Sequence, residues 1–193
     1  MSHSATTDVP VLPLIADRWS PVIFADRPVP AEKLRTLFEA ARWAPSSSNE
    51  QPWSFVVATQ EQPEQFAKMA ACLDAGNAWA KKAPVLALSI ARMVLSGSTK
   101  PNRHAFHDTG MAVGNLLSQA TADGLFVHQM AGFDMERARN DFGLPPNHDP
   151  VAMIAIGYYG DESTADPSLR EREQKPRTRK PIAEFVFHSA WGK

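Results

Sequence analysis

Ala44-Pro45-Ser46-Ser47-Ser48-Asn49-Glu50-Gln51-Pro52-Trp53 joins two kinds of periodicity, and how it is read decides the fold. Before it, Leu34, Leu37, Phe38 and Ala41 recur at i, i+3, i+4, i+7, the spacing of one buried helical face. Val29-Pro30-Ala31-Glu32 opens that helix, with proline where a missing N–H costs nothing. Pro45 stops it, because the residue before a proline is pushed out of helical geometry. After it, Trp53 to Ala58 is short, aromatic and β-branched, the pattern of a strand. The polar residues between the two prolines are therefore a helix-to-strand loop that offers hydroxyls and amides to its surroundings.

Working outward, Val9 to Trp19 carries a short apolar stretch between Pro13 and Pro21, read as one short helix. Glu61 to Leu73 reads as a helix, and Pro84 to Ala91 is apolar on both parities, as a central strand would be. Ser96 to Arg103 is a polar loop. Phe106 to Ala122 is a longer helix with Gly110 and Gly114 one turn apart, a spacing that more often means tight packing within the chain than a dimer seam. Gly132-Phe133-Asp134 turns into a helix capped by Asp134, which Gly143 ends. Val151 to Ile156 is another buried strand, Asp161 to Lys180 a charged loop, and Phe185-Val186-Phe187 a short final strand. The mixture predicts an α+β fold in one domain over residues 1–193, with 1–13 an extended N-terminal arm.

A chain of 193 residues buries a substantial core. A formal net charge of -1 gives no general attraction to nucleic acid or to an anionic membrane. The single cysteine, Cys72, excludes an internal disulfide and fits a reducing compartment. With no membrane-length apolar run and a polar start from Met1 to Asp8, a soluble, cytoplasmic protein is expected.

Several chemistries lack their motifs. There is no G-x-G-x-x-G after a strand, no G-x-x-x-x-G-K-[ST], no G-x-S-x-G, no C-x-x-C and no H-E-x-x-H. His104, His107 and Asp108 could share a helical face, but that spacing arises readily by chance, and no metal is expected. Cys72 reads as a small buried side chain, not an activated thiolate. Without a nucleophile, a metal or an acid–base pair, catalysis here points to a bound organic cofactor.

Three segments carry a resemblance. Arg18-Trp19-Ser20-Pro21-Val22-Ile23-Phe24 resembles R-x-S-x-[RK]-x-F, and the opening loop resembles A-P-S-x-x-N-x-Q-P-W. Gly124-Leu125, Gly132-Phe133-Asp134 and Leu144-Pro145 then precede a strand ending in Gly157-Tyr158. Arg177-Thr178-Arg179-Lys180-Pro181-Ile182 adds a weaker fourth match. In this order, from Asp17 to Trp191, the chain resembles the nitroreductase family of FMN-dependent flavoproteins.

That resemblance implies an α/β sandwich whose central sheet is mixed and mainly antiparallel, flanked by helices, in an intertwined homodimer with FMN at the subunit interface. It implies that Arg18, Trp19 and Ser20 meet the FMN phosphate and ribityl region, with Arg177 and Arg179 approaching the phosphate. Pro45, Ser46, Ser47 and Asn49 would line the flavin from the partner subunit. Asn77 would face it, and Met130, Ala131 and Gly132 would bring backbone N–H groups to the ring edge. Arginine forks suit a phosphate dianion, and serine and asparagine suit ribityl hydroxyls. Val22 departs from the pattern, which has a basic residue there; Lys81 or Lys82 is expected to supply the charge.

The activity the resemblance implies is ping-pong hydride transfer from NADH or NADPH through the flavin to a small acceptor such as a nitroaromatic or quinone. No side chain acts as acid or base, and proximity over the ring does most of the work. Phe106, His104 and Arg103 are the substrate-side residues, Phe106 being as readily a core contact as an acceptor platform. Another flavin chemistry on the same scaffold, such as dehalogenation or dehydrogenation, or a non-catalytic flavin sensor or carrier, stays open.

Overall fold

The structure, a computed structural model, describes residues 4–192. Four strands, β1 (Trp53–Thr59), β2 (Val85–Arg92), β3 (Phe126–Met130) and β4 (His148–Gly157), form one sheet in the order β1-β2-β4-β3. All three pairings are antiparallel, so among the described residues no parallel strand joins the mainly antiparallel sheet expected. Six helices accompany it among the described residues: α1 (Pro13–Ala16), α2 (Ala31–Arg42), α3 (Pro63–Ala70), α4 (Ala105–Ala122), α5 (Met135–Asp141) and α6 (Pro167–Glu173).

The two parities of β2 explain the layers. Val85 and Ala87 join α2 and α4 through Leu37, Ala41, Val113 and Leu116 in one core cluster. Leu86, Leu88 and Ile90 join Phe66 and Met69 of α3 and Val22, Ile23 and Phe24 in the other. A strand buried on both faces has no polar parity, which is why Pro84 to Ala91 reads as apolar throughout. Asn115 donates to the Ala40 carbonyl at 3.1 Å, and Lys33 donates to Asp123 at the end of α4 at 2.6 Å, fastening the two helices that back the sheet. Pro150 sits in a central strand because a register shift there leaves Val151 extra. The buried Ser89 hydroxyl spans the irregularity, donating to Ala152 O and accepting from Ala152 N.

Four expectations need correction. β3 falls where the sequence reading placed no element. Asp161 to Lys180 is not a plain loop: Asp161 caps a 3₁₀ turn at Glu162–Thr164, Asp166 caps α6 through Ser168 N, and Pro167 occupies its first turn. Phe185-Val186-Phe187 forms no strand, since among the described residues no ladder meets it. The helix read over Val9 to Trp19 is one turn at Pro13–Ala16. Among the described residues no helix is long and apolar enough to cross a membrane.

Candidate functional site

Residues 18–24 run as a strap from the N-terminal arm onto the sheet. Trp19 packs against Phe126 of β3 at 4.4 Å between ring centroids and against Tyr159 at 5.4 Å. Its ring is thus packed into an aromatic cluster of the chain itself. Phe24 bridges Tyr159 in a single antiparallel pair. Gly160 makes that approach possible, because a Cβ there would stand 2.8 Å from the Phe24 carbonyl carbon.

Arg18 Nη1 donates to Ser20 Oγ at 3.3 Å, placing the two expected ligands side by side. Arg177 and Arg179 arrive from the other end of the chain. Burial first, then the charges of Arg177 and Arg179, push the Arg18 guanidinium below its ordinary pKa. Burial and Arg179 do the same to Arg177, opposed by Asp17. Three crowded cations favour an anion among them, because each repels the others and a dianion relieves all three. They border a cleft of about 940 Å³, lined also by Thr7, Asp8, Lys180 and Phe185. That volume lies within the ~300–1,000 Å³ of ordinary cofactor sites.

Asn77 and the Met130–Gly132 turn lie against each other. Asn77 Nδ2 donates to the Gly132 carbonyl at 2.9 Å, and the Asp74 backbone N–H reaches the same oxygen at 3.2 Å. A Cβ on Gly132 would lie 2.8 Å from Asn77 Nδ2 and 3.1 Å from Asp74 Oδ2, so a larger residue would push those side chains aside. Met130 has its side chain in the core and can offer only backbone, whereas Ala131 is exposed. The turn connects to the arginine cluster through a residue the sequence reading missed. His128 Nδ1 donates to the Pro21 carbonyl at 2.8 Å, and its ring lies 4.6 Å from that of Trp79. Burial above all, with Arg172 and Arg18 adding to it, holds its imidazole below the ordinary histidine range against the pull of the Pro21 carbonyl. A polar residue in a strand facing an apolar layer is the one signal that could have found it.

The loop 45–52 is a second, separately anchored group. Ser48, Asn49 and Gln51 have φ of 53°, 56° and 46°, left-handed values that non-glycine residues adopt at a cost. Ser47 N donates to Asp108 Oδ2 at 3.0 Å, Gln51 N donates to Ser46 Oγ at 3.0 Å, and Arg92 ties down Glu50 through both its carbonyl and its carboxylate. So Ser47 and Asn49 are exposed on a rigid loop, with Pro45 exposed beside them and Ser46 turned partly inward. Asp108 lies in the first turn of α4, so Arg103, His104 and Phe106 stand within five residues of this loop's anchor, Phe106 half-exposed. The loop that holds the expected partner-side residues is thus anchored at the start of α4, the helix that carries the expected substrate-side residues, while Arg18, Arg177 and Arg179 gather elsewhere.

Val22 is buried in the core and carries no charge into the site. Lys81 and Lys82, expected to replace it, are exposed at the end of the 3₁₀ stretch Ala75–Lys82. The Asp166 carboxyl is held low by its hydrogen bonds from Ser168 and, more weakly, by Lys82, so that lysine has a carboxylate of its own to answer. His107 pairs with Asp108 at 3.1 Å, and His104 meets the His107 ring edge-on at 6.4 Å; among the described residues no three such side chains gather as metal ligands. The Cys72 thiol is buried and raised above its ordinary pKa by burial, then by the Asp141 charge, which keeps it from acting as a thiolate.

Residues 15–158 match the model of the nitroreductase family. Over 99% of its length the chain superposes on 98% of an oxidoreductase described as containing FMN, with a TM-score of 0.92 and 36% identity. It is 37% identical over 129 residues to an uncharacterised 15.4 kDa protein of Mycolicibacterium smegmatis, covering 67% of this chain and 86% of that one. It is 31% identical over 166 residues to an NADH dehydrogenase of Thermus thermophilus, covering 70% and 80%.

Proposed function

The chain belongs to the nitroreductase family, and on that premise we propose that it is an FMN-dependent oxidoreductase that draws reducing equivalents from NADH or NADPH and delivers them to a small acceptor, with nitroaromatics and quinones as the acceptor class. The observation that carries this reading is the convergence of Arg18, Arg177 and Arg179 beside Ser20 on one cofactor-sized cleft. The residues fit the group: the guanidinium cluster wants an anion, and Asn77 fixes the Gly132 turn through its hydrogen bond to the Gly132 carbonyl. When bound, FMN would supply the two-electron carrier, accepting hydride from the nicotinamide and releasing it to the acceptor.

The chain's own residues hold and orient. Arg18 and Arg179 take the phosphate and Ser20 a ribityl oxygen, while Ala131 and Gly132 offer backbone N–H groups to the ring edge. The rigid loop 45–49 and Phe106 cover the ring from a second copy of the chain, because a homodimer is the arrangement that joins the two separately anchored groups. Among the described residues, neither Gly110 nor Gly114 has an atom from beyond its own helical turns within 4 Å of where a Cβ would be. Tight packing within the chain, the reading their spacing favoured, is therefore not what they serve. Together with the half-exposed Phe106 they leave a smooth face on α4 that supports the dimer.

The test is direct. FMN and riboflavin are titrated into the purified protein, and the yellow complex is mixed anaerobically with NADH or NADPH. FMN binding more tightly than riboflavin, bleaching by the nicotinamide and recovery on adding a quinone or nitroaromatic are the expected results. A protein that stays colourless in excess FMN overturns the reading.

A further inference from the structure

The end of α6 and the stretch that follows it grip the Arg18 strap from two sides. Glu173, the last residue of α6, is buried to 8% exposure. Its Oε1 accepts the backbone N–H of Val22 and, at 3.1 Å, that of Ile23. Four residues on, Arg177 Nη1 donates to the Ala16 carbonyl at 2.8 Å and Nη2 to the Arg18 carbonyl at 2.7 Å. A carboxylate therefore holds N–H groups just after Ser20, and a guanidinium holds carbonyls at and before Arg18. These partners lie some 150 to 160 residues apart in the chain.

Opposite charges on opposite backbone groups make the grip directional. A strap that slid along its axis would bring N–H groups to the guanidinium and carbonyls to the carboxylate, and both contacts would be lost. A buried carboxylate also needs its hydrogen bonds, since one left unpaired would be expelled or protonated. Charge-assisted bonds of this kind are about twice as strong as neutral ones. The grip consequently fixes where the Arg18 side chain begins.

The geometry points to Glu173 and Arg177 as a polar clamp that positions Arg18 and Ser20 for the phosphate of the bound flavin, with Glu173 a positioning residue and Arg177 acting chiefly through the backbone it holds. This rests on the flavin reading above. It changes the role assigned to Arg177, two of whose N–H groups are spent on the chain itself. It also makes the phosphate subsite depend on the docking of α6, an element that contributes no ligand of its own.

The experiment compares the affinities of the full-length protein for FMN and for riboflavin, which lacks the phosphate, in the wild type and in Glu173→Ala, Glu173→Gln and Arg18→Ala. Thermal unfolding of each variant shows that it folds. Removing the carboxylate should weaken FMN by about tenfold or more, the scale of one or two lost charge-assisted bonds, while riboflavin changes far less. Glu173→Gln keeps an oxygen that accepts both N–H groups and should recover most of the loss. In the double variant with Arg18→Ala the effect of Glu173→Ala should nearly vanish, because both act on one contact.

Equal losses for FMN and riboflavin, or additive losses in the double variant, would overturn the clamp and leave the flavin reading standing. A wild type with no preference for FMN over riboflavin would instead sink the flavin reading, and the clamp with it. If Glu173→Ala does not fold, Glu173→Gln against Arg177→Lys carries the test: lysine cannot hold two carbonyls as a fork does, so Arg177→Lys should lose FMN preference where Glu173→Gln keeps it. Equal preference in the two would count against the clamp.

Discussion

The carboxylate of Asp108, 2% exposed at the start of α4, accepts the backbone N–H of Ser47 at 3.0 Å and so pins a loop with three non-glycine residues in left-handed geometry. Asp108→Ala removes that anchor. The expected cost is about 1.5–3 kcal/mol, the range for a hydrogen bond to a charged group. Urea unfolding measures it, and a variant as stable as the wild type would show that Arg92 and Glu50 hold the loop alone.

Gly132 and Asn77 are matched in shape. Gly132→Ala drives a methyl to within 2.8 Å of the Asn77 amide, so that side chain must shift. Overpacking of this kind costs about 1–3 kcal/mol. Adding Asn77→Ala should return part of that stability by making room, although it gives up the bond to the Gly132 carbonyl. Thermal melts of the two single variants and the double decide it, and simple additivity would mean the two do not meet.

His128 ties stability to pH. Its folded pKa lies below the ordinary value, mainly through burial. The unfolded chain therefore binds the proton more readily, at about pH 6.5. The contribution is fully present above that pH and is lost as the pH falls towards the folded value. In urea unfolding between pH 7 and 5, the advantage of the wild type over His128→Gln should shrink below pH 6.5, by no more than about 1.4 kcal/mol per pH unit. A constant gap across the range would contradict burial of a neutral ring.

Gly110 faces open space on α4. If that face stayed in solvent, Gly110→Arg would stabilise the helix by roughly 0.5–1 kcal/mol. As part of a seam between two copies it should instead shift the protein from dimer to monomer and weaken FMN, with Arg18 and Arg179 untouched. Sedimentation equilibrium beside flavin titration reads both.

Phe106, 50% exposed in the first turn of α4, presents half of its surface outside the fold of its own chain and could serve as an aromatic platform. Phe106→Ala should raise KM for aromatic acceptors several-fold, on the order of 1 kcal/mol for a lost ring contact. Ferricyanide, which does not stack, should be reduced with little change. Equal effects on both acceptors would remove Phe106 from acceptor recognition.

Local rules made much of this legible in the one-dimensional chain. The break at Pro45, the two-sided apolar run of β2, the Asp134 cap and the Gly143 stop (φ 59°) all depend on neighbours a few residues away. α6 was legible by the same rules and went unread: Asp166 and Pro167 are a cap and a first-turn proline, hidden by the charge around them. β3 was harder, because His128 and Gln129 break its apolar run, and what makes it a strand is the ladder from Val127 to Ile156 across the sheet.

The order of motifs in the sequence was enough to determine the family and the set of residues from which a phosphate site could be made, since residue chemistry and spacing are properties of the chain alone. Which of those residues face the cleft and which hold it together was decided only on folding. Trp19 turned inward to Phe126 and Tyr159, and Arg177 closed on backbone carbonyls. Glu173, with no motif to mark it, took the N–H groups of Val22 and Ile23. A side chain's partner 150 residues away is set by where the core places both, and no local pattern encodes that distance.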